Sequence, residues 1–310
     1  MLSAPRALLT LYAVTGESIW AIDSLERLIA MAHAMAAIDP AALEVAARTS
    51  RPAMRAKGPV AVLPLMGPIS QRGMGLFDLL FGGTSAEAFA AQFKASLNDD
   101  SVRSILLHVD SPGGTVGGID ELSTLIYKGR GIKPIVAVAD GDADSAAYWI
   151  ASAADEFVAA PSAKVGSIGI FSLHENIAAA LEQMGTEVTV ISAGKYKSEE
   201  MPFGPLTDEA RAAVQARVDG YYGMFVAAVA RNRGVTSSAV RGGFGEGRVL
   251  LASDAVAEGM VDRIATFDEV LGRLTGNTSA STNNRAMADA ERDRLGRLWD
   301  IALDRTAVPA

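Results

Sequence analysis

Between residues 60 and 192, short runs rich in Val, Ile and Ala alternate with longer helical ones, and this alternation most restricts the folds open to the chain. The strand candidates are "VAVLPL" (60–65), "SILLHV" (104–109), "PIVAVA" (134–139), "EFVAA" (156–160), "GSIGIF" (166–171) and "EVTVIS" (187–192). Helix candidates fall between them at 85–97, 117–129, in the segment around Ser145, and at 174–185. The strand runs show no clean apolar–polar alternation, so they are expected to be buried on both faces. Strands spaced by helices of this length point to βαβ units and a parallel sheet.

The flanks have a different texture. Residues 1–57 read as an Ala-rich helical extension, with "SIWAIDSLERLIAMAHAM" and then "PAALEVAART" after Pro40. After residue 206 a long helix is expected, with Thr207 as N-cap, Asp208 and Glu209 in its first turn and Gly234 as its stop. "SDAVAEGMVDRI" reads as a short helix and strand, and "GNTSASTNN" from Gly276 as a flexible linker before a charged C-terminal helix. The predicted organisation is an extension over 1–57, an α/β domain over 58–275, and a linker with a helical tail over 276–310.

Bulk properties exclude several functions. A net charge of −8 argues against a broad nucleic-acid surface. The absence of cysteine excludes disulfides, thiolate metal sites and a Cys nucleophile. No stretch approaches the ~18 uninterrupted apolar residues of a membrane span, and "MLSAPRALLTLYAV" lacks the strong basic start of a signal peptide. A cytoplasmic protein with neither metal nor cofactor is expected.

Three stretches could carry chemistry. In "HVDSPGGTVGG" (108–118) a strand runs into a Gly-Gly turn, whose amides can approach an anion or a developing oxyanion. The same residues also make an ordinary turn, with Ser111 as a cap. In "DADSAAYWIASAADE" (142–156), Ser145 is either a nucleophile or the N-cap of a buried Ala-rich helix. In "ISAGKYKSEEMPFGP" (191–205), Lys195 and Lys197 point to opposite sides of an extended segment, so one can face inward; the alternative is a basic surface loop. A serine nucleophile needs a base. The chain has only three histidines; His33 lacks a partner ligand at i+4, and neither His108 nor His174 sits in an obvious triad pattern. A buried lysine can replace histidine, provided burial lowers its ordinary value of about 10.4 by about 3 units.

The three stretches occur together and in order, and here the chain resembles the signal peptide peptidase A family of serine peptidases. The resemblance rests on "HVDSPGG", "SAAYWIASAAD", "VGSIGIF", "GKYKSEEMPFGPLTDEAR" and "GRVLLASDAVAEGMVD", and spans about 58–271. It implies an α/β fold, a Clp protease/crotonase-like spiral of βαβ units, here with a helical N-terminal extension and a short C-terminal helical tail. It implies Ser145 as nucleophile, Lys197 as general base and Lys195 as its solvent-facing neighbour. It also implies an oxyanion hole from the amides of Gly113, Gly114 and Ala146, with Ser167 as an auxiliary or structural residue. The expected partners are a polypeptide substrate and further copies of the chain in a ring. Many members carry Gly-Gly after the serine; Ala146-Ala147 here tightens the pocket. With the helical extension, this looks more like the phage branch, whose members mature capsids or cleave scaffolds. A cellular peptide-degrading protease, a non-catalytic assembly protein and a crotonase-type acyl-CoA enzyme are the competing expectations. The apolar "SQRGMGLFDLLFGG" (70–83) is expected to line the substrate entrance or a protomer contact.

Overall fold

The computed structural model describes the strand Ile19–Ile22 and residues 55–72 and 83–276. The rest of the expected N-terminal extension, most of the 70–83 segment and the expected linker and C-terminal helix lie outside the described residues. The architecture is mixed α/β with a parallel sheet at its centre, as the alternating pattern implied.

The strands are β1 (Ile19–Ile22), β2 (Arg55–Lys57), β3 (Val60–Met66), β4 (Ile69–Ser70), β5 (Thr84–Ser85), β6 (Ser104–Ser111), β7 (Gly113–Thr115), β8 (Ile135–Asp144), β9 (Glu156–Ala159), β10 (Lys164–Gly166), β11 (Phe171–Ser172), β12 (Val249–Leu251) and β13 (Arg263–Ile264). The larger sheet has the order β12-β10-β8-β6-β3-β2, with β9 also paired to β8. Its core, β3, β6 and β8, is parallel. The smaller sheet has the order β11-β1-β7-β4-β5.

Period-two geometry explains why the central strands lack a polar face. Ala61, Leu63, Leu65, Ile105, Leu107 and Val109 join the main core, under the helices α1 (Ala86–Asn98), α2 (Ile119–Gly129) and α3 (Ala146–Ala151). The intervening Val60, Val62 and Leu106 pack on the opposite face, with Val138, Val158 and Val270. Both faces are covered, so both need apolar side chains.

The remaining helices are α4 (Ala178–Gln183), α5 (Asp208–Arg233), α6 (Ser237–Gly242), α7 (Ala252–Ala257) and α8 (Phe267–Thr275). Helix α5 starts as its sequence implied: Thr207 Oγ1 accepts from the Ala210 N–H at 3.1 Å, and the helix gives way at Gly234. Helix α8 opens with a full capping box between Thr266 and Glu269.

Three local readings differ from the structure. Ile19–Ile22, read as part of a helix, pairs as β1 with strands on both sides; a ladder partner overrides the helical pattern. "EVTVIS" forms no strand, because its alternation meets no edge to pair with and 187–192 stay exposed. "GSIGIF" is split into β10 and β11 by a turn at Ser167 with φ 53°.

Candidate active site

The site begins with a change of partner along β8. Its first half, Val136–Ala139, pairs with β9, and its last residues, Asp142–Asp144, pair with β10. The chain then turns sharply at Ser145 into α3. Ser145 has φ 54° and ψ −114°, a combination that costs a residue with a Cβ about 1–3 kcal/mol. Such strain persists only where the surroundings enforce it. Here the Ser145 N–H donates to the Gly166 carbonyl at 2.7 Å, and every residue of α3 is buried.

The helix is anchored from below. Trp149 stacks on Phe225 with centroids 4.4 Å apart and planes 7° apart. The Tyr148 hydroxyl donates to the Met260 carbonyl at 2.9 Å, and burial pushes its pKa up. At the C-terminal end, Arg130 donates to the carbonyls of Ser152 at 3.2 Å, Ala153 at 2.8 Å and Ala154 at 2.5 Å. A cation at a helix C-terminus satisfies carbonyls left without intrahelical donors. Asn232 ties in α5 through its Nδ2, which donates to Ser123 Oγ at 3.1 Å and Ser152 Oγ at 3.0 Å.

The Ser145 hydroxyl is fully buried and has no hydrogen-bond partner among the described residues. A buried hydroxyl without a partner carries a desolvation cost of about 1–3 kcal/mol. As a simple helix cap it would accept a backbone N–H, and it does not. The capping alternative for Ser145 therefore fails. Ala146 opens α3, a position whose N–H has no intrahelical acceptor.

The Gly-Gly stretch reaches the same end of the sheet. Ser111 on β6 is level with Ala143 on β8. Gly113 and Ser145 each follow two residues later, and β7 packs against α3. Ser111 itself is a turn residue: its Oγ donates to the Gly67 carbonyl at 2.6 Å and accepts from the Gly113 N–H at 3.2 Å. Gly114 admits no side chain, since a Cβ would lie 1.8 Å from the Ile69 carbonyl oxygen of β4. Ser167, after β10, mirrors Ser145 after β8: Asp144 and Gly166 are paired, and both serines have positive φ. Ser145, Ala146, Gly113, Gly114 and Ser167 are thus gathered at one end of the parallel sheet.

The lysines are not brought to that point. Lys197 lies in an exposed turn, and no donor reaches Ser145 Oγ. Lys195 is exposed as expected; its Nζ donates to Tyr196 Oη at 2.6 Å and Glu209 Oε1 at 3.0 Å. The Tyr196 and Glu209 hydrogen bonds raise its pKa. The two histidines among the described residues are committed elsewhere: His108 to Asp140 at 3.0 Å, stacked on Phe267, and His174 to the Gly204 carbonyl at 3.0 Å; His33 lies outside the described residues. Sequence reasoning missed Arg130, one of two cations in "YKGRG" with no distinguishing pattern, and missed β1 beside Gly113–Thr115.

Fold and site together define a parallel α/β protein with a strained, buried serine at a strand-to-helix turn beside a Gly-Gly strand. The chain matches the model of Peptidase family S49 over residues 128–281. It is 33% identical over 236 residues to Capsid assembly protease C of Escherichia phage lambda, covering 76% of this chain and 51% of the relative. It is 31% identical over 228 residues to Head-tail preconnector protein GP5 of Enterobacteria phage P21, covering 73% and 44%. A Putative signal peptide peptidase SppA from Enterococcus faecium is 29% identical over 187 residues, covering 60% and 54%. The chain spans about half the length of these relatives. Among the described residues no helix is long and apolar enough to cross a membrane.

Proposed function

We propose that the chain is a serine endopeptidase that cleaves capsid-associated polypeptide during phage prohead maturation, within the host cytoplasm. The observation that carries the reading is Ser145: a buried, unpartnered hydroxyl held at φ 54° where a parallel sheet turns into a buried helix. In this reading Lys197 takes the Ser145 proton, and the hydroxyl attacks the scissile carbonyl. Amides of Gly113, Gly114 and Ala146 hold the oxyanion. Lys197 then protonates the leaving amine, and water hydrolyses the acyl-enzyme. The phage role draws on the two phage relatives.

Lys197 must move about its turn to serve, and self-association offers the means. Met184, Val188, Val190, Ile191 and Phe203 are exposed on the same stretch, Ile191 by 94%. Exposed apolar side chains grouped on one stretch fit a protein–protein interface. A second copy packed there, in a ring, would cover these side chains and draw Lys197 out of water.

The test is cleavage of a candidate scaffold protein by wild type, Ser145→Ala and Lys197→Ala, followed by mass spectrometry. Losses of at least about 10³-fold are expected in both variants, in line with removal of a nucleophile or its base. Full activity in either variant removes that residue from the mechanism.

A further inference from the structure

The strand β1 lies along the edge that an extended substrate would need. One edge of β7 is taken by β4, with Ile69 level with Gly114. The other is taken by β1, which runs antiparallel with Trp20 opposite Thr115, Ala21 opposite Gly114 and Ile22 opposite Gly113. On its far side β1 pairs with β11, Trp20 opposite Phe171 and Ile19 opposite Ser172. Both flanks lead to Ser145: Gly113 stands at its level beyond the β6–β8 pairing, and β11 follows Gly166, which is level with Asp144. The C-terminal end of β1 therefore runs toward the serine. A peptide that adds as a strand uses an open edge, and its acyl side runs N-to-C toward the nucleophile, the polarity that β1 has.

We propose that Ile19–Ile22 is a cis-acting occupant of the acyl-side substrate groove, which holds the chain in a latent form until an incoming strand displaces it. The proposal rests on reading Ser145 as the nucleophile. A second feature agrees with latency: in this occupied arrangement Ser145 Oγ has no partner and Lys197 is exposed. The groove is then a two-state element. Apparent substrate affinity is reduced by the fraction of molecules whose groove is free.

The test compares the full chain with Ala21→Pro, since proline removes an N–H and does not fit a strand paired on both sides; Trp20→Pro serves as an independent second variant. Hydrogen exchange is read at the backbone amides of 113–115 and 171–172. These amides are expected to be protected in wild type and to exchange at least about tenfold faster in the proline variants. For a reporter peptide, KM is expected to fall about tenfold with kcat unchanged, as for a groove free in roughly one molecule in ten. Equal exchange in wild type and variants overturns the proposal, as does an unchanged or raised KM. If neither form cleaves any peptide, the peptidase reading fails, and the exchange result alone still decides whether β1 occupies the groove.

Discussion

At the scale of single residues, backbone strain and chemistry coincide at Ser145. The hydroxyl and its φ of 54° are separable by substitution. Ser145→Ala removes the nucleophile but keeps a Cβ in a conformation suited to glycine; Ser145→Gly removes both. Both variants are expected to be inactive, with Ser145→Gly more stable than Ser145→Ala by about 1 kcal/mol in denaturant unfolding. Equal stabilities would mean that the turn is not strained. Gly114 is constrained for the opposite reason, by contact. Gly114→Ala places a methyl into the Ile69 carbonyl, and a loss of about 1–3 kcal/mol or more in the same measurement is expected. The candidate nucleophile and the glycines were legible in the sequence as residue types in order. The strain was not, because φ 54° at Ser145 is imposed by the Gly166 hydrogen bond and the buried helix after it.

At the scale of elements, α3 is a six-residue helix with no exposed face. It cannot be stabilised by propensity at that length, so packing and Arg130 must hold it. Trp149→Ala removes the stack on Phe225 and is expected to cost about 3–5 kcal/mol. Thermal or denaturant unfolding checks this; a loss under about 1 kcal/mol would mean that the helix is held by something else. The parallel strands were readable because covering both faces demands continuous apolar runs. "EVTVIS" and Ile19–Ile22 were misread for one shared reason: a strand is defined by its partner, and local pattern carries no information about which edges are open. β1 found an edge, and 187–192 did not.

At the scale of the whole molecule, two features matter: a hydrogen-bonded ion pair that joins distant parts of the chain, and an exposed apolar stretch. Arg233, at the end of α5, donates to Asp262 Oδ1 at 2.7 Å, and the Phe157 N–H donates to Asp262 Oδ2 at 2.6 Å. Burial pushes the Asp262 carboxyl up, but the Arg233 and Phe157 hydrogen bonds and the nearby guanidinium charges outweigh it and hold it below the ordinary carboxylate range. A carboxyl depressed by folding stabilises above its unfolded value of about 3.9. That contribution is lost as pH falls through the lower folded value. Asp262→Asn is therefore expected to unfold more easily at neutral pH and to show a shallower loss of stability on acidification. Parallel pH profiles for the two proteins would rule the linkage out. The second feature is the exposed apolar stretch over 184–203. Ile191→Asp is expected to shift light-scattering mass toward the monomer and to lower activity with it; an unchanged mass would place the interface elsewhere.

The central claim is that Ser145 forms the covalent intermediate of a peptidase. The most direct measurement is reaction of the assembled protein with a serine-directed fluorophosphonate, with the adduct located by peptide mass spectrometry. A single adduct on Ser145, absent in Ser145→Ala and suppressed by substrate, is the expected result. Labelling on another residue, or a protein that cleaves peptides while Ser145 stays unmodified under full inhibition, would contradict it.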